Sequence, residues 1–456
     1  MRISRFRVGT LILTAALLTF GASAQAQSLT DALIQAYRNS ELLKANQALL
    51  RSVDEGVAQS RAALRPSVNL TASSTLATPP GGVGSNTLTN NVNLGLTLLL
   101  WDWGRSEDAV QVAYQNVLAA RQTLIEVEQG VLLNAVIAFM DMRQNAQFLQ
   151  LAENNMHVIE QQVQATKDRF DVGDVTRTTV SQAEARFAGA LSEVVFRQGN
   201  LEIARETFFI FVGAYPEVLQ SPPPPPRIPA SLAAAKSVAM RTHPSILRAQ
   251  HNLRAATLNV ERAKAAMKPV FTMTGSLNSS SSAAGNTASV SVTGAVPVYL
   301  GGSLLSAYRQ AVALKQQAHA DVHQAGLLVS QSVSRFWATT AIARASITAR
   351  QKQVRSARVA LRGVREETNL GARTTLDVLD AERELVRAQS DLVSAKRDEY
   401  VAIYSLLSAM GLLTVRHLQL GIKTYDEELY FKKFQRAPVV TKRGFLLEDI
   451  LKRAGK

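Results

Sequence analysis

The sequence contains no cysteine in 456 residues. This absence excludes disulfide bonds, thiolate metal sites and a lipid anchor on an N-terminal cysteine. Beyond the N-terminal leader, the chain also lacks a run of about 18 uninterrupted apolar residues, the length that a transmembrane helix needs. The nearest candidate, Val401 to Val415, contains two serines and is expected to form a buried helix. Insertion into a membrane through apolar helices is therefore not expected.

Proline is absent between residues 80 and 216 and again between 297 and 438. Within these stretches, the segments Arg105 to Phe170 and Ser303 to Leu370 are rich in helix-favouring residues and contain little glycine. A helix of about 66 residues is about 100 Å long, which is too long for the interior of a compact domain. The two segments are therefore predicted to be coiled-coil struts.

Each half of the chain also contains shorter helical segments. Pro66 and Pro269 are expected to end the earlier one in each half, because proline interrupts a helix. The predicted segments are Thr30 to Leu64, Thr178 to Val212, Leu232 to Met267 and Thr374 to Leu413.

Four segments alternate polar and apolar residues, a pattern that predicts β-strands with one apolar face. These segments are Ser67 to Ser73, Asn91 to Leu98, Phe271 to Thr274 and Ser289 to Thr293. Each can be extended to about 10 residues, enough to cross a bilayer when tilted. Four strands are too few to close a barrel, and open sheet edges are not tolerated in lipid. Other copies of the chain must complete the barrel, and three copies would supply twelve strands.

The two halves are copies of one unit. Gly173 and Gly371 are 198 residues apart, and the same offset relates Gly213 to Gly411. The predicted organisation is a signal peptide (1–26), a first repeat (27–220), a proline-rich linker (221–230), a second repeat (231–420) and a peripheral tail (421–456). A duplication of this length indicates one supersecondary unit used twice.

The N-terminus has the pattern of a cleaved signal peptide. Three arginines precede the apolar stretch Val8 to Phe20, and small-residue cleavage sites follow, so the mature chain is predicted to start at Gln25 or Gln27. A retained anchor is the alternative, but the apolar stretch is short for about 30 Å of hydrocarbon. The formal net charge is +14, but no aromatic-rich basic module points to nucleic acid.

No catalytic, cofactor or metal site is predicted. The sequence has no Walker lysine motif, nucleophile elbow or zinc signature, so enzyme activity has no support. His319 and His323 are spaced for one helix face, but no third ligand is evident nearby, and a solvated pair is the preferred interpretation.

The order of elements resembles the TolC family of outer-membrane channel-tunnel proteins, over about Leu29 to Leu420. The most specific match is the run Leu370 to Ala381, with the sequence LGARTTLDVLDA. The runs Trp101 to Arg105 and Tyr299 to Gly302 resemble the family's strand-to-helix junctions.

The resemblance implies an α+β membrane protein that assembles as a homotrimer. A 12-stranded β-barrel would lie in the lipid of a Gram-negative outer membrane, and a long α-helical coiled-coil barrel would continue through the periplasm. Such proteins are exit ducts for drug efflux and type I secretion, and they dock a periplasmic adaptor and an inner-membrane ABC or proton-driven transporter. Cargo stays open between toxic hydrophobic compounds and proteins, with efflux preferred. The alternative is a periplasmic structural or signalling coiled-coil protein without a channel.

Asp377 and Asp380 are candidates for a carboxylate ring at the periplasmic entrance. They are three residues apart and share one helix face, which a trimer would repeat around its axis. The resemblance implies that such a ring selects cations. The alternative is that the two acids stabilise the start of a helix capped by Thr374.

The resemblance also implies a gate held by polar links, with Arg373 and Thr178 at gate positions. The family's tyrosine and aspartate are replaced here by Thr368 and Thr179, so Arg373 is expected to lack the carboxylate partner of that latch. A looser, hydrogen-bonded latch is the alternative. Gly173 and Gly371 are predicted turn residues, because turns there favour a positive φ. The neighbouring Val172, Leu370 and Ala372 are candidates for adaptor contact.

A basic stripe runs along the second strut. Eight cationic residues and no acid lie between Arg335 and Arg365, and Arg355, Arg358 and Arg362 lie on the same helix face as Arg365. The stripe is interpreted as a solvated outer face, with an adaptor contact or a positive lumen belt as alternatives.

Overall fold

The structure is a computed structural model that describes residues 27–77, 86–216, 219–281 and 285–434. The predicted signal peptide, the first hairpin tip at residues 78–82 and the tail beyond residue 434 lie outside the described residues. The second hairpin tip, predicted at residues 279–286, is described in part.

The described residues form long paired helices, shorter helices and one sheet. The helices are α1 (Leu29–Asn39), α2 (Glu41–Ala62), α3 (Arg105–Asp171), α4 (Arg177–Val212), α5 (Leu232–Thr242), α6 (Pro244–Ala265), α7 (Ser303–Asn369), α8 (Thr375–Ala409) and α9 (Glu427–Phe434). The two predicted struts are confirmed as α3 and α7, each of 67 residues. The matching order of elements in the two halves confirms the internal duplication.

The predictions of continuous helices over Thr30 to Leu64 and Leu232 to Met267 were wrong, because each segment is broken once. Ser40 adopts an extended conformation, and its hydroxyl accepts a hydrogen bond from the Leu43 N–H at 3.2 Å as the cap of α2. His243 is also extended, since the residue before a proline disfavours the helical region, and Pro244 begins α6.

The four predicted strands are confirmed, and all four are longer than the segments that predicted them. They are β1 (Ser67–Ala77), β2 (Thr87–Trp101), β3 (Val270–Ser280) and β4 (Asn286–Ala295). They form one sheet in the order β1-β2-β3-β4, with every neighbouring pair antiparallel. The hairpin of one repeat therefore continues directly into the hairpin of the other.

The largest core lies where the short helices pack across the long ones. Phe139 of α3 and Phe208 of α4 are fully buried, with ring centroids 6.5 Å apart. The segment Val401 to Val415, predicted to be a buried helix, supplies Leu406 and Leu407 to this core, although α8 ends at Ala409.

Equivalent glycines in the two repeats contact the ends of the short helices. Gly213 has a φ of 83°, and a Cβ there would lie 2.6 Å from the Asn39 Cβ. Gly411 has a φ of 74°, and a Cβ there would lie 2.8 Å from the His243 Cα. Both positions require glycine because of backbone conformation and close approach.

The C-terminal helix α9 covers a buried carboxylate. Asp54 of α2 is 3% exposed, and neither of its carboxylate oxygens has a hydrogen-bond partner. Burial raises the pKa of Asp54 to about 6, although nearby Arg121 acts in the opposite direction. Arg121 also donates a hydrogen bond to the backbone oxygen of Glu427 at 3.3 Å, and so links α3 to α9. A carboxylate buried without a partner destabilises the fold when it is charged.

Replacing this carboxylate should stabilise the protein only where Asp54 is ionised. A folded-state pKa raised above the unfolded value favours folding at low pH, and this benefit is lost as the pH rises through about 6. The difference in thermal midpoint between Asp54→Asn and the wild type should therefore increase from about pH 4.5 to about pH 8. The corresponding gain in unfolding free energy should reach up to about 3 kcal/mol.

The matched control is Glu41→Gln on the same helix. Its side chain is 84% exposed and pairs with Lys44, so its difference from the wild type should change little over this pH range. A parallel response of the two variants would contradict the assignment to Asp54.

Candidate functional site

Two tight turns lie at the end of the helical part that is opposite to the sheet, because a 67-residue helix separates each turn from the strands. One joins α3 to α4 through Gly173, and the other joins α7 to α8 through Gly371, with φ values of 81° and 77°. The predicted turn role of both glycines agrees with these left-handed conformations. Beside them, Val172 is 79% exposed and Leu370 is 86% exposed, and Ala372 is exposed as well.

Thr374 is the N-cap of the helix that follows the second turn, and Asp377 completes the capping box. Its carboxylate accepts hydrogen bonds from the backbone N–H of Thr374 at 2.9 Å and from the Thr374 hydroxyl at 2.8 Å. These bonds, the backbone one first, lower the pKa of Asp377. The carboxylate is thus ionised over the whole physiological range, so the capping role does not conflict with a role in a charged ring.

Asp380 lies one turn further along α8 and is exposed. Its carboxylate accepts a hydrogen bond from the Arg186 guanidinium of α4 at 3.1 Å. The pair links the first repeat to the second. It shows that the two turns lie at the same end of the helical part. Arg186 was missed in the sequence, because 194 residues separate the partners and no local spacing connects them.

The predicted gate residues lie near this end without forming one cluster. Arg373 pairs within its own turn with Glu367, a carboxylate other than the one that Thr179 replaces, and its Nε lies 3.0 Å from Glu367 Oε2. Thr368 is 7% exposed, and its hydroxyl donates to the Val364 carbonyl of its own helix. On the other turn, Thr178 is exposed, whereas the Thr179 hydroxyl lies 3.1 Å from that of Thr176.

Among the residues that the structure describes, one of the four arginines of the basic stripe on α7 has an acidic partner on α8, and the other three do not. Arg365 pairs with Glu382 at 2.9 Å. Within the described part of the chain, Arg355, Arg358 and Arg362 form no ion pair with a carboxylate. The three interpretations of the stripe therefore stay open for these three arginines only.

The sheet separates apolar and polar side chains onto opposite faces. One row across the strands reads Leu70, Leu94, Leu277 and Ala288. The row beside it reads Asn69, Gly95, Ser276 and Ser289. Leu70, Leu94 and Leu277 are 69%, 40% and 57% exposed, so none of the described residues covers the apolar face.

In the described ranges, no group of three potential ligands that could hold a metal ion is found. The rings of His319 and His323 are 4.9 Å apart on α7. Of the helices described, α3 is long and apolar enough by composition to span a membrane, and half of its most apolar window is buried within the chain.

Comparison with known proteins gives a consistent result. A family model described as outer membrane efflux protein matches residues 32–213 and 237–412. The chain is 34% identical over 435 residues to the outer membrane efflux protein BepC of Brucella suis, covering 93% of this chain and 94% of that protein. It is 27% identical over 436 residues to the outer membrane protein TolC of Vibrio cholerae, covering 91% and 98%.

A solved structure shows the same fold at lower identity. The outer membrane channel CmeC of Campylobacter jejuni superposes with a TM-score of 0.75 at 15% identity, covering 90% of this chain and 89% of that one. The two segments matched by the family model lie within the two repeats predicted from the sequence.

Proposed function

The chain belongs to the outer membrane efflux protein family, and from this premise we propose that it forms the trimeric exit duct of a tripartite export system. In this proposal the sheet lies in the outer membrane and the helices form a tunnel through the periplasm. The observation that carries the proposal is a four-stranded sheet with a continuous apolar face and two open edges.

The sheet has the dimensions and direction needed for closure between copies. β1 and β3 each contain 11 residues, about 36 Å at 3.3 Å per residue and about 25 Å in height at a tilt near 45°. This matches the apolar band of an outer-membrane barrel. Because the pairs alternate in direction, β1 and β4 are antiparallel, and β4 of one copy can pair with β1 of the next.

The number of copies in the proposed duct follows from the need for a lumen wide enough to pass cargo. Two copies would supply eight strands, and a barrel of about eight strands is filled by its own side chains. Three copies supply twelve strands and leave room for cargo. Lipid allows neither a sheet edge nor irregular backbone, so each copy must find a partner on both sides.

The helical part also presents a surface that a neighbouring copy can cover. On α4, Phe196, Ile203 and Ile210 repeat every seven residues and are 58%, 67% and 73% exposed. Such a heptad stripe is the usual contact of a coiled coil. An unpartnered stripe on a single chain therefore supports a helical barrel built from several copies.

Cysteine pairs across the two open edges test the trimer. The chain has no native cysteine, so Ser73→Cys on β1 can be combined in turn with Thr287→Cys, Ser289→Cys or Ser291→Cys on β4. At the correct register, oxidation should produce a covalent trimer on a denaturing gel, because disulfides require Cα atoms about 4.4–6.8 Å apart. Single-cysteine variants should give no trimer. A ladder that stops at the dimer across the whole set would show closure by two copies instead.

The exposed residues at the turns support docking of a periplasmic adaptor. Val172, Leu370 and Ala372 present a small apolar surface at the two tips. An inner-membrane transporter, either an ABC exporter or a proton-driven pump, would complete the system. The proposed cargo is toxic hydrophobic compounds, with proteins as the second candidate, and copurification of the transporter separates the two. No catalytic role is proposed.

The turn end is proposed as the selective entrance of the tunnel. Asp377 and Asp380 of three copies would place six carboxylates around the axis, and Arg186 would neutralise part of that charge. Arg373, Thr178, Thr179 and Thr368 are proposed to hold the entrance closed through contacts of their turns.

Changes in charge at this end should alter the ion selectivity of single channels in a planar bilayer. Asp377→Asn with Asp380→Asn should reduce the cation preference several-fold, because the ring loses its charge. The new amide at residue 377 still offers an oxygen that can accept the hydrogen bonds of Thr374 at the helix start. Arg186→Gln should increase the preference, because it unmasks Asp380. Asp398→Asn, which removes a carboxylate of α8 far from the turn, is the control. An unchanged reversal potential in the double variant would reject the ring.

A further inference from the structure

The two stretches of the chain that contain the sheet carry no charged residue. None occurs between Arg65 and Asp102, and none between Lys268 and Arg309. These two intervals contain all four strands together with both hairpin loops. The surrounding helices are, by contrast, dense in arginine and glutamate, so the change in composition coincides with the sheet.

The polar face of the sheet is built from hydroxyl and amide side chains, and hydroxyls on neighbouring strands bond to one another. The Thr274 and Ser291 hydroxyls are 2.8 Å apart, and so are those of Ser276 and Ser289. Each pair joins β3 to β4 along one row. On the other hairpin, the Thr71 hydroxyl donates to the backbone carbonyl of Asn93 at 3.5 Å. This face can offer hydrogen bonds to water and cargo, but it offers no fixed charge.

Charges outside the sheet are too distant to act at its centre. Ser276 lies in the middle of β3, eight residues after Lys268. At about 3.3 Å per residue this separation is about 26 Å, roughly three times the Debye length of about 8 Å at physiological ionic strength. The row that contains Ser276 is uncharged on all four strands, so neighbouring copies add nothing either.

We infer that the barrel is a charge-neutral, hydrogen-bonding sleeve, and that all discrimination by charge resides in the helical tunnel. The inference rests on the proposed function, since it takes the polar face of the sheet to line the lumen. It assigns separate tasks to the two parts of the duct. Cargo of either sign that has passed the tunnel meets no further electrostatic barrier before it leaves, and cargo with hydrogen-bonding groups can exchange water for the hydroxyl lining.

The absence of native cysteine permits a direct measurement of the potential inside the barrel. Ser276→Cys places one thiol on the polar face, and Leu277→Cys places one on the apolar face next to it. The full mature protein is reconstituted in phosphatidylcholine bilayers. A cationic and an anionic methanethiosulfonate of similar size are then added from the side of the hairpin loops, and the two rates of modification are compared with those of free 2-mercaptoethanol.

In a neutral sleeve, the ratio of cationic to anionic rates at Ser276→Cys should equal that of the free thiol within about twofold. A local potential of one kT per unit charge would raise one rate about 2.7-fold and lower the other about 2.7-fold, so the ratio would change about sevenfold. Adding Asn69→Asp in the same row calibrates the measurement and should favour the cationic reagent by about that factor or more. A ratio at Ser276→Cys alone that departs sevenfold from the free thiol would overturn the inference.

Leu277→Cys separates this inference from the proposed function. It should react at least tenfold more slowly than Ser276→Cys, because lipid excludes both reagents. Equal rates at the two positions, or an unreactive Ser276→Cys, would show that the polar face does not line a water-filled lumen, and the barrel itself would then be rejected. Normal accessibility with a skewed ratio would reject only the neutral sleeve.

Discussion

The architecture depends on one constraint, the pairing of backbone hydrogen-bonding groups at the two open edges of the sheet. β1 and β4 each leave one row of N–H and C=O groups without a partner strand among the described residues. In lipid, each unsatisfied group costs several kcal/mol, so a strand edge of about ten residues cannot remain open. Because the two edges run antiparallel, copies of the chain can satisfy each other in the closed ring that we propose.

The duplication and the paired helices are compatible with that proposed ring. Each repeat contributes one hairpin and one long antiparallel helix pair, so in the proposed trimer the strands of the barrel and the helices of the tunnel would share one symmetry. The repeats are nevertheless different at the turns. The second turn carries Arg373, Asp377 and Asp380, and the first carries none of their equivalents but lies near Arg186 of α4. The contact between Arg186 and Asp380 connects the two halves where the proposed entrance lies.

Elements with strong periodicity could be predicted from the sequence, whereas their interruptions and distant contacts could not. The alternation in β1 to β4 and the scarcity of glycine and proline in α3 and α7 indicated both kinds of element. The breaks at Ser40 and His243 were missed because one capping or pre-proline residue outweighs a favourable helical stretch. Capping of α8 by Thr374, with Asp377 in the first turn, was an open alternative and is present. The partner of Asp380 could not be found, since it depends on how the two repeats pack.

The central claim is that three copies close one barrel, and the mass of the purified complex tests it most directly. Native mass spectrometry of the mature protein released from detergent micelles should give three chains as the dominant species. A dominant species of one or two chains would contradict the account, because neither can pair every strand edge around an open lumen.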